Sequence, residues 1–343
     1  MNSTSIQQST YRVTSMADLK RTAVKKLPKQ PGSTPGFART QMTSQDVQPI
    51  SLEEEYRKKT GISPEDIQKL RSWMQTQPHL PENYITDLDL ILAFHSCDCS
   101  SGLTKQVLDT HYTLRTLFPC FKDRRVDQVI ETAETVLLIP LPTPAKHGYK
   151  INYSHVLKTD PKSFNFSETV KALFMIIDVY QYEEGTWPGF LFVVDFEGIS
   201  LGHLGKIDLQ SLQHVLYFLQ EAMLVKLKGM HFINAPSFID KLLLMMRPFL
   251  KKELMDMLHI HTTGSNKLQN FIDIEALPKE AGGSYKSIHG CKDDVIAKLK
   301  KHADFFEKEK YKRVTESLRP GRPKTITDIF GGIEGSFKKL EID

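Results

Sequence analysis

His259 and His261, in the segment LHIHT, are spaced so that a strand would put both imidazoles on one face, which is a start on a metal site. No third ligand stands at useful spacing, so no metal is expected. Cys97 and Cys99 form a C-x-C pair without a second pair at ligand spacing. With Cys120 and Cys291 they read as reduced thiols, not as a disulfide framework. Asp195 and Glu197 close an apolar run and could act as acid and base, but no nucleophile, metal motif or phosphate loop accompanies them. They read as residues that cap a strand end and order the loop after it. The loop GISLGHLGK has the outline of a phosphate cradle and fails its pattern twice, with Ser200 where glycine is required and Ile207 where Ser or Thr is required. Gly282 and Gly283 lack dinucleotide-site spacing and read as a turn. No catalytic residue, cofactor or metal is therefore expected, and an enzyme is not.

The elements that would hold these residues change character along the chain. From residue 51 to 140 the pattern is helical. Ser51 and Glu54 have capping-box spacing, and Ser63 caps a helix that opens on Pro64 and carries Ile67, Leu70, Trp73 and Met74. Further sets follow: Leu88, Ile91, Leu92; Leu103, Val107, Leu108, Tyr112; Val126, Ile130, Ala133, Leu137. Pro140, Pro142 and Pro144 mark a boundary. Strands then alternate with helices: strands over 149–153, 190–196, 229–234 and 258–262, helices over 166–182, 209–225, 237–250 and 266–272. This order predicts an α/β fold, a helical N-terminal domain followed by a mostly parallel sheet with crossover helices.

Charge narrows the partners. The net charge is +4, but residues 1–50 hold seven Lys or Arg against two acids, so the rest of the chain is close to neutral. A clustered basic face for nucleic acid is not expected. Residues 1–50, rich in Ser, Thr, Gln and Pro, read as a disordered basic arm whose segment 20–29 could meet anionic lipid. No apolar run nears the ~20 residues of a membrane-spanning helix, and the N-terminus lacks the apolar core of a secretory signal, so a cytoplasmic location is expected.

The helix over 237–250 is unusual. Phe238, Ile239, Leu242, Leu243, Leu244, Met245, Met246, Phe249 and Leu250 cover more than one stripe, so the helix needs a second apolar neighbour. That neighbour is either more protein, in an ordinary buried helix, or a lipid beneath a lid whose outer face meets a bilayer. The pattern leaves both open.

Three blocks, FLFVVDFEGISLGHLGKID, KGMHFINAPSFIDKLLLMMRPFLKKELMDMLHIHTTG and LPKEAGGS, resemble the CRAL-TRIO lipid-binding family in order and spacing, over residues 55–305. LILAFHSCDC and the tail from Ser317 are similar to insect members of its alpha-tocopherol-transfer-protein-like branch. The resemblance implies residues 51–140 as the helical N-terminal domain, 141–305 as the lipid-binding domain and 306–343 as a C-terminal helix end and tail. It implies a pocket floored by the strands carrying Phe192, Val194 and Phe232, with Phe218, Met223, Leu227 and Met230 at lining positions. Phe238, Leu242, Met246 and Phe249 would belong to a mobile gate. It also implies a phosphoinositide headgroup held beside that gate. Lys226 and Lys228 match two of the family's basic positions, two others fall on Glu253 and Met257, and the arginines of its FLRAR segment are replaced by FHSCD at 94–98. Lys251 and Lys252 lie close enough to compensate in part.

The expected protein is a monomeric intracellular carrier that binds one small hydrophobic lipid (a tocopherol, retinoid, carotenoid or relative) and exchanges it peripherally at membranes. The alternative is a module that senses a phosphoinositide or hydrophobic metabolite without transferring it.

Overall fold

Ser51 and Ser63 behave as their spacing predicts. Each hydroxyl accepts the backbone N–H three residues on, from Glu54 at 3.1 Å and from Asp66 at 3.2 Å, and each helix starts there. The computed structural model describes residues 48–331. The expected arm up to residue 47 and the end of the tail from residue 332 lie outside the described residues. Helices α1 (Leu52–Arg57), α2 (Pro64–Met74), α3 (Asp87–Ser96), α4 (Ser101–Leu117) and α5 (Val126–Ala133) come first. Ile67, Leu70, Met74, Leu90, Ile91, Leu108 and Tyr112 from this set form a core of their own, which Leu224 and Val314 join from later in the chain.

The alternating part follows: β1 (Val136–Pro140), β2 (Lys150–Val156), α6 (Phe166–Glu184), β3 (Phe190–Asp195), α7 (Leu201–Leu204), α8 (Leu209–Glu221), β4 (Leu227–Ala235), α9 (Ile239–Met246), α10 (Lys252–Asp256) and β5 (Leu258–Thr262). Helices α11 (Ile288–Lys301), α12 (Ala303–Glu309) and α13 (Ile326–Phe330) close the described chain. The strands lie in chain order across one sheet. β1 runs antiparallel to β2, and every later pair is parallel, because each connection after β2 carries a helix back across the sheet.

Beyond shifts at strand ends and the short α10, which the pattern did not announce, the structure differs from expectation at these places. Leu137, expected on a helix, sits in β1: VLLIP is apolar at every position, a pattern with no helical face, and all five residues are buried against neighbours on both sides. The helix expected over 237–250 stops at Met246 and passes into the 3-10 turn Arg247–Phe249, since Pro248 brings no backbone N–H to continue it. α8 ends at Glu221, before the expected 225, and the helix expected over 266–272 is one 3-10 turn, Lys267–Asn270. Gly282 and Gly283 do form a turn. Gly282 takes a φ of +84°, and a Cβ on Gly283 would run into the Leu277 carbonyl.

A buried ionic knot ties the first helices to the rest. Arg115 of α4 reaches Asp178 of α6 and Glu309 of α12, both at 2.6 Å, and Arg124 bridges the same two acids at 2.7 and 3.0 Å. Burial alone would raise the Glu309 pKa; the two arginines, with Arg313, hold it far below the carboxylate range.

Candidate functional site

Side chains alternate across a strand, so the register alone assigns one face of the sheet. Val136 pairs with Val156, Leu138 with Ser154, Ser154 with Val194, and Phe192 with Met230. These residues, with Phe232, floor a cavity of about 230 Å³. Val170 and Leu173 of α6, Leu212, Val215 and Leu219 of α8, and Leu242 and Met246 of α9 wall it. The α8 residues follow i, i+3, i+7, one stripe of a helix. The polar lining residues are Ser154, His155, Thr169, Asp195 and His203, and among the described residues no lysine or arginine reaches the cavity.

Of the residues expected to meet lipid, the structure gathers Phe192, Val194, Met230, Phe232, Leu242 and Met246 around this cavity. Phe218 points elsewhere. It shares a helix face with His214, four residues before it, and packs into the core against Phe121 and Phe174 at ring distances of 4.7 and 4.9 Å, while His214 stacks on Phe118 at 4.2 Å. Met223 and Leu227 border a separate cleft. Phe238 and Phe249 are half-buried against the core outside the cavity lining. Sequence reasoning missed the α6 and α8 walls and the β1 edge of the floor. The stripe Leu212, Val215, Leu219 was available as a signal; β1 was hidden by being read as helix.

Helix α9 resolves its excess of apolar residues. Ile239, Leu242 and Met246 are buried on the inner face, Leu243 and Met245 are half-buried, and Leu244 stands 70% exposed on the outside. One face of α9 therefore closes the cavity and the other offers leucine to the exterior.

The separate cleft, about 510 Å³, lies between α4, the end of α8 and α10 and gathers Lys226, Lys228 and Lys251. Lys252 is exposed and is not among its lining residues. The cleft is also acidic. Asp98, Glu221 and Glu253 line it, Lys226 Nζ lies 2.6 Å from Asp98 Oδ1, and Lys251 pairs with Glu221. The hydrogen bond from Lys226 lowers the Asp98 pKa, and the bond to Glu221 raises that of Lys251.

A family model for the CRAL/TRIO domain matches residues 136–283, which span β1 to β5 and the turn at Gly282. The chain carries a CRAL/TRIO domain. A second model, "Pinta-like, UBA domain", matches residues 61–129, the region of α2 to α5 ahead of the CRAL/TRIO domain. The chain is 22% identical over 260 residues to Alpha-tocopherol transfer protein-like of Mus musculus, covering 75% of each chain. It is 24% identical over 239 residues to Clavesin-1 of Mus musculus, covering 67% of this chain and 66% of the relative. A solved structure titled "Crystal structure of Sfh5" superimposes with a TM-score of 0.38 and 13% identity over 56% of this chain and 71% of that one.

Within the CRAL/TRIO domain the residues weighed for catalysis have structural work. Asp195 is 1% exposed and accepts from Tyr153 Oη at 2.7 Å, Asn234 Nδ2 at 2.9 Å and the Glu197 backbone N–H at 3.0 Å. Burial would raise its pKa, but these donors and His155 hold it below the usual carboxylate range. Asn234, at φ +50°, supplies its bond from a left-handed conformation that asparagine tolerates. Glu197 is exposed in the loop. His259 and His261 do share a face of β5, and a third imidazole, His231 of β4, joins them. Its ring stacks on His259 at 4.8 Å, and its Nδ1 lies 3.1 Å from His261 Nε2. The rings stack and do not converge, and no cluster able to hold a metal ion occurs among the described residues. None of the described helices is long and apolar enough to cross a membrane.

Proposed function

We propose that this chain is a carrier that takes one small hydrophobic lipid into the cavity between the sheet and α9, performs no chemistry on it, and exchanges it at a membrane surface. The observation that carries the reading is the cavity itself, apolar on its sheet floor and helix walls and closed by a helix whose other side exposes Leu244. Apolar surface leaving water contributes roughly 25 cal/mol per Å², enough to hold such a ligand without any ionic contact. Contact of the outer face of α9 with a bilayer would favour the open gate, and differential affinity for the two states is all that exchange requires.

The name of one relative, Alpha-tocopherol transfer protein-like, points the same way, toward tocopherol-like cargo. The CRAL/TRIO match supports lipid binding in general. The polar cleft supports a second reading, a headgroup sensor, because three lysines line it; the pairing of two of them, Lys226 with Asp98 and Lys251 with Glu221, weighs against it. Transfer of fluorescent tocopherol between donor and acceptor vesicles separates the two. A carrier speeds transfer in proportion to its concentration, and a sensor binds without doing so.

A further inference from the structure

His203, in the short helix α7, lines the cavity and is 3% exposed. Its Nδ1 accepts the Ser200 backbone N–H at 3.1 Å, with Ser200 Oγ at the same distance. A backbone N–H can only donate, so Nδ1 carries no proton. In the neutral ring the proton must then sit on Nε2. Burial lowers the pKa of this histidine, which keeps the ring neutral near pH 7.

Nε2 is a buried donor with no hydrogen-bond partner among the described residues. Its ring neighbour is Phe164, another lining residue, at 5.5 Å between centroids and 62° between planes, and an aromatic ring is a weak substitute for an oxygen acceptor. α7 has little room to swing away, because a Cβ on Gly202 would come within 2.7 Å of Pro161. An unmet buried donor is costly, and an acceptor brought into the cavity removes that cost.

The rest of the lining constrains what the acceptor can be. The carboxylate in the lining, Asp195, is already engaged by three donors, and among the described residues no cation lines the cavity to balance an incoming negative charge. Burying an ionised head group there would be strongly unfavourable.

We propose that the cavity selects lipids that carry a neutral hydrogen-bond acceptor, a carbonyl, ether, ester or hydroxyl oxygen, and seats that oxygen on His203 Nε2–H. This rests on the carrier reading and narrows its cargo to apolar chains with one uncharged oxygen-bearing end. Pure hydrocarbons and ionised fatty acids are excluded from the preferred class.

The test uses the full chain and four probes with one skeleton: farnesane, hexahydrofarnesol, its methyl ether, and the corresponding acid at pH about 7.5, where a carboxylic acid is ionised. Displacement of a fluorescent lipid should show the alcohol and the ether binding about tenfold more tightly than farnesane, with the acid weaker than the ether. His203→Phe should erase the advantage of alcohol and ether without weakening farnesane, and His203→Gln, which keeps an N–H, should retain part of it. Equal affinity for farnesane and ether, or an equal effect of His203→Phe on all probes, overturns the subsite and leaves the carrier reading standing. Failure of every probe to bind, farnesane included, contradicts the carrier reading itself. Should His203→Phe not fold, nitrogen NMR shifts of the wild-type imidazole decide. An Nε2–H tautomer whose shift responds to the ether supports the subsite, and an Nδ1–H tautomer overturns it.

Discussion

Lys226 Nζ lies 2.6 Å from Asp98 Oδ1 in the polar cleft, so a lysine expected to meet anionic headgroups already faces a carboxylate. Asp98 is mostly exposed, and such a pair contributes only about 0–1 kcal/mol, so a phosphate can displace it. Asp98→Asn should therefore strengthen sedimentation with anionic vesicles about fivefold at low salt, at around 1 kcal/mol per unmasked charge, with the gain fading at high salt. Reversal of Lys226, Lys228, Lys251 and Lys252 to Glu should weaken vesicle binding and spare an apolar ligand in solution. Vesicle binding that ignores both changes would place the membrane-facing surface elsewhere.

Exposure separates two residues of α9 that the sequence could not tell apart. Leu244→Asp, on the outer face, should lower transfer between vesicles and leave the melting temperature nearly unchanged, because a charge there is solvated until a bilayer approaches. Met246→Asp, on the cavity wall, should lower ligand affinity and stability together, since it buries an unpaired charge. Unchanged transfer by Leu244→Asp would remove the outer face of α9 from the mechanism.

The knot of Arg115, Arg124, Asp178 and Glu309 predicts a large stability effect far from the cavity. Glu309→Ala leaves two buried guanidinium groups facing a single acid and should cost about 3–5 kcal/mol in urea unfolding. A loss below about 1 kcal/mol, the scale of an exposed pair, would mean that water reaches these charges.

Buried histidines set the response to acid. Burial pushes His111 and His231 down to about 3 and His214 to about 4, against an ordinary value near 6.5. The unfolded chain binds these protons first as pH falls, so their stability contribution is complete above about pH 6.5 and is lost progressively toward pH 3–4. Each histidine kept neutral adds a slope of about 1.4 kcal/mol per pH unit across that window. Urea midpoints between pH 7 and pH 5 should fall, and His231→Leu should flatten the slope; a midpoint independent of pH would show that these rings titrate normally.

Much of this was legible in local pattern. Ser51, Ser63 and Pro64 marked helix starts because capping is a short-range matter, and the apolar runs around Phe192 and Phe232 marked central strands because both faces of those strands are covered. The alternation of strands and helices was legible in the same patterning, and the resemblance added which of them would line a pocket. The cavity walls were harder, since which stripe of α8 meets the sheet depends on crossing geometry, so Phe218 was expected inward where Val215 and Leu219 stand. Ion pairing across the fold was hidden as well: nothing near Lys226 in sequence announces Asp98. The third imidazole, His231, lies on another strand, and only the register of β4 against β5 brings it to His259 and His261.

The most direct test of the carrier account is native mass spectrometry of the full chain after exposure to tocopherols, retinoids and carotenoids, beside the cavity-filling variant Val215→Trp. The account predicts one ligand per chain on the wild type, recovered chemically unchanged, and none on a variant that remains folded with its cavity occupied by indole. A ligand that persists on Val215→Trp, or one recovered as a modified product, would contradict it.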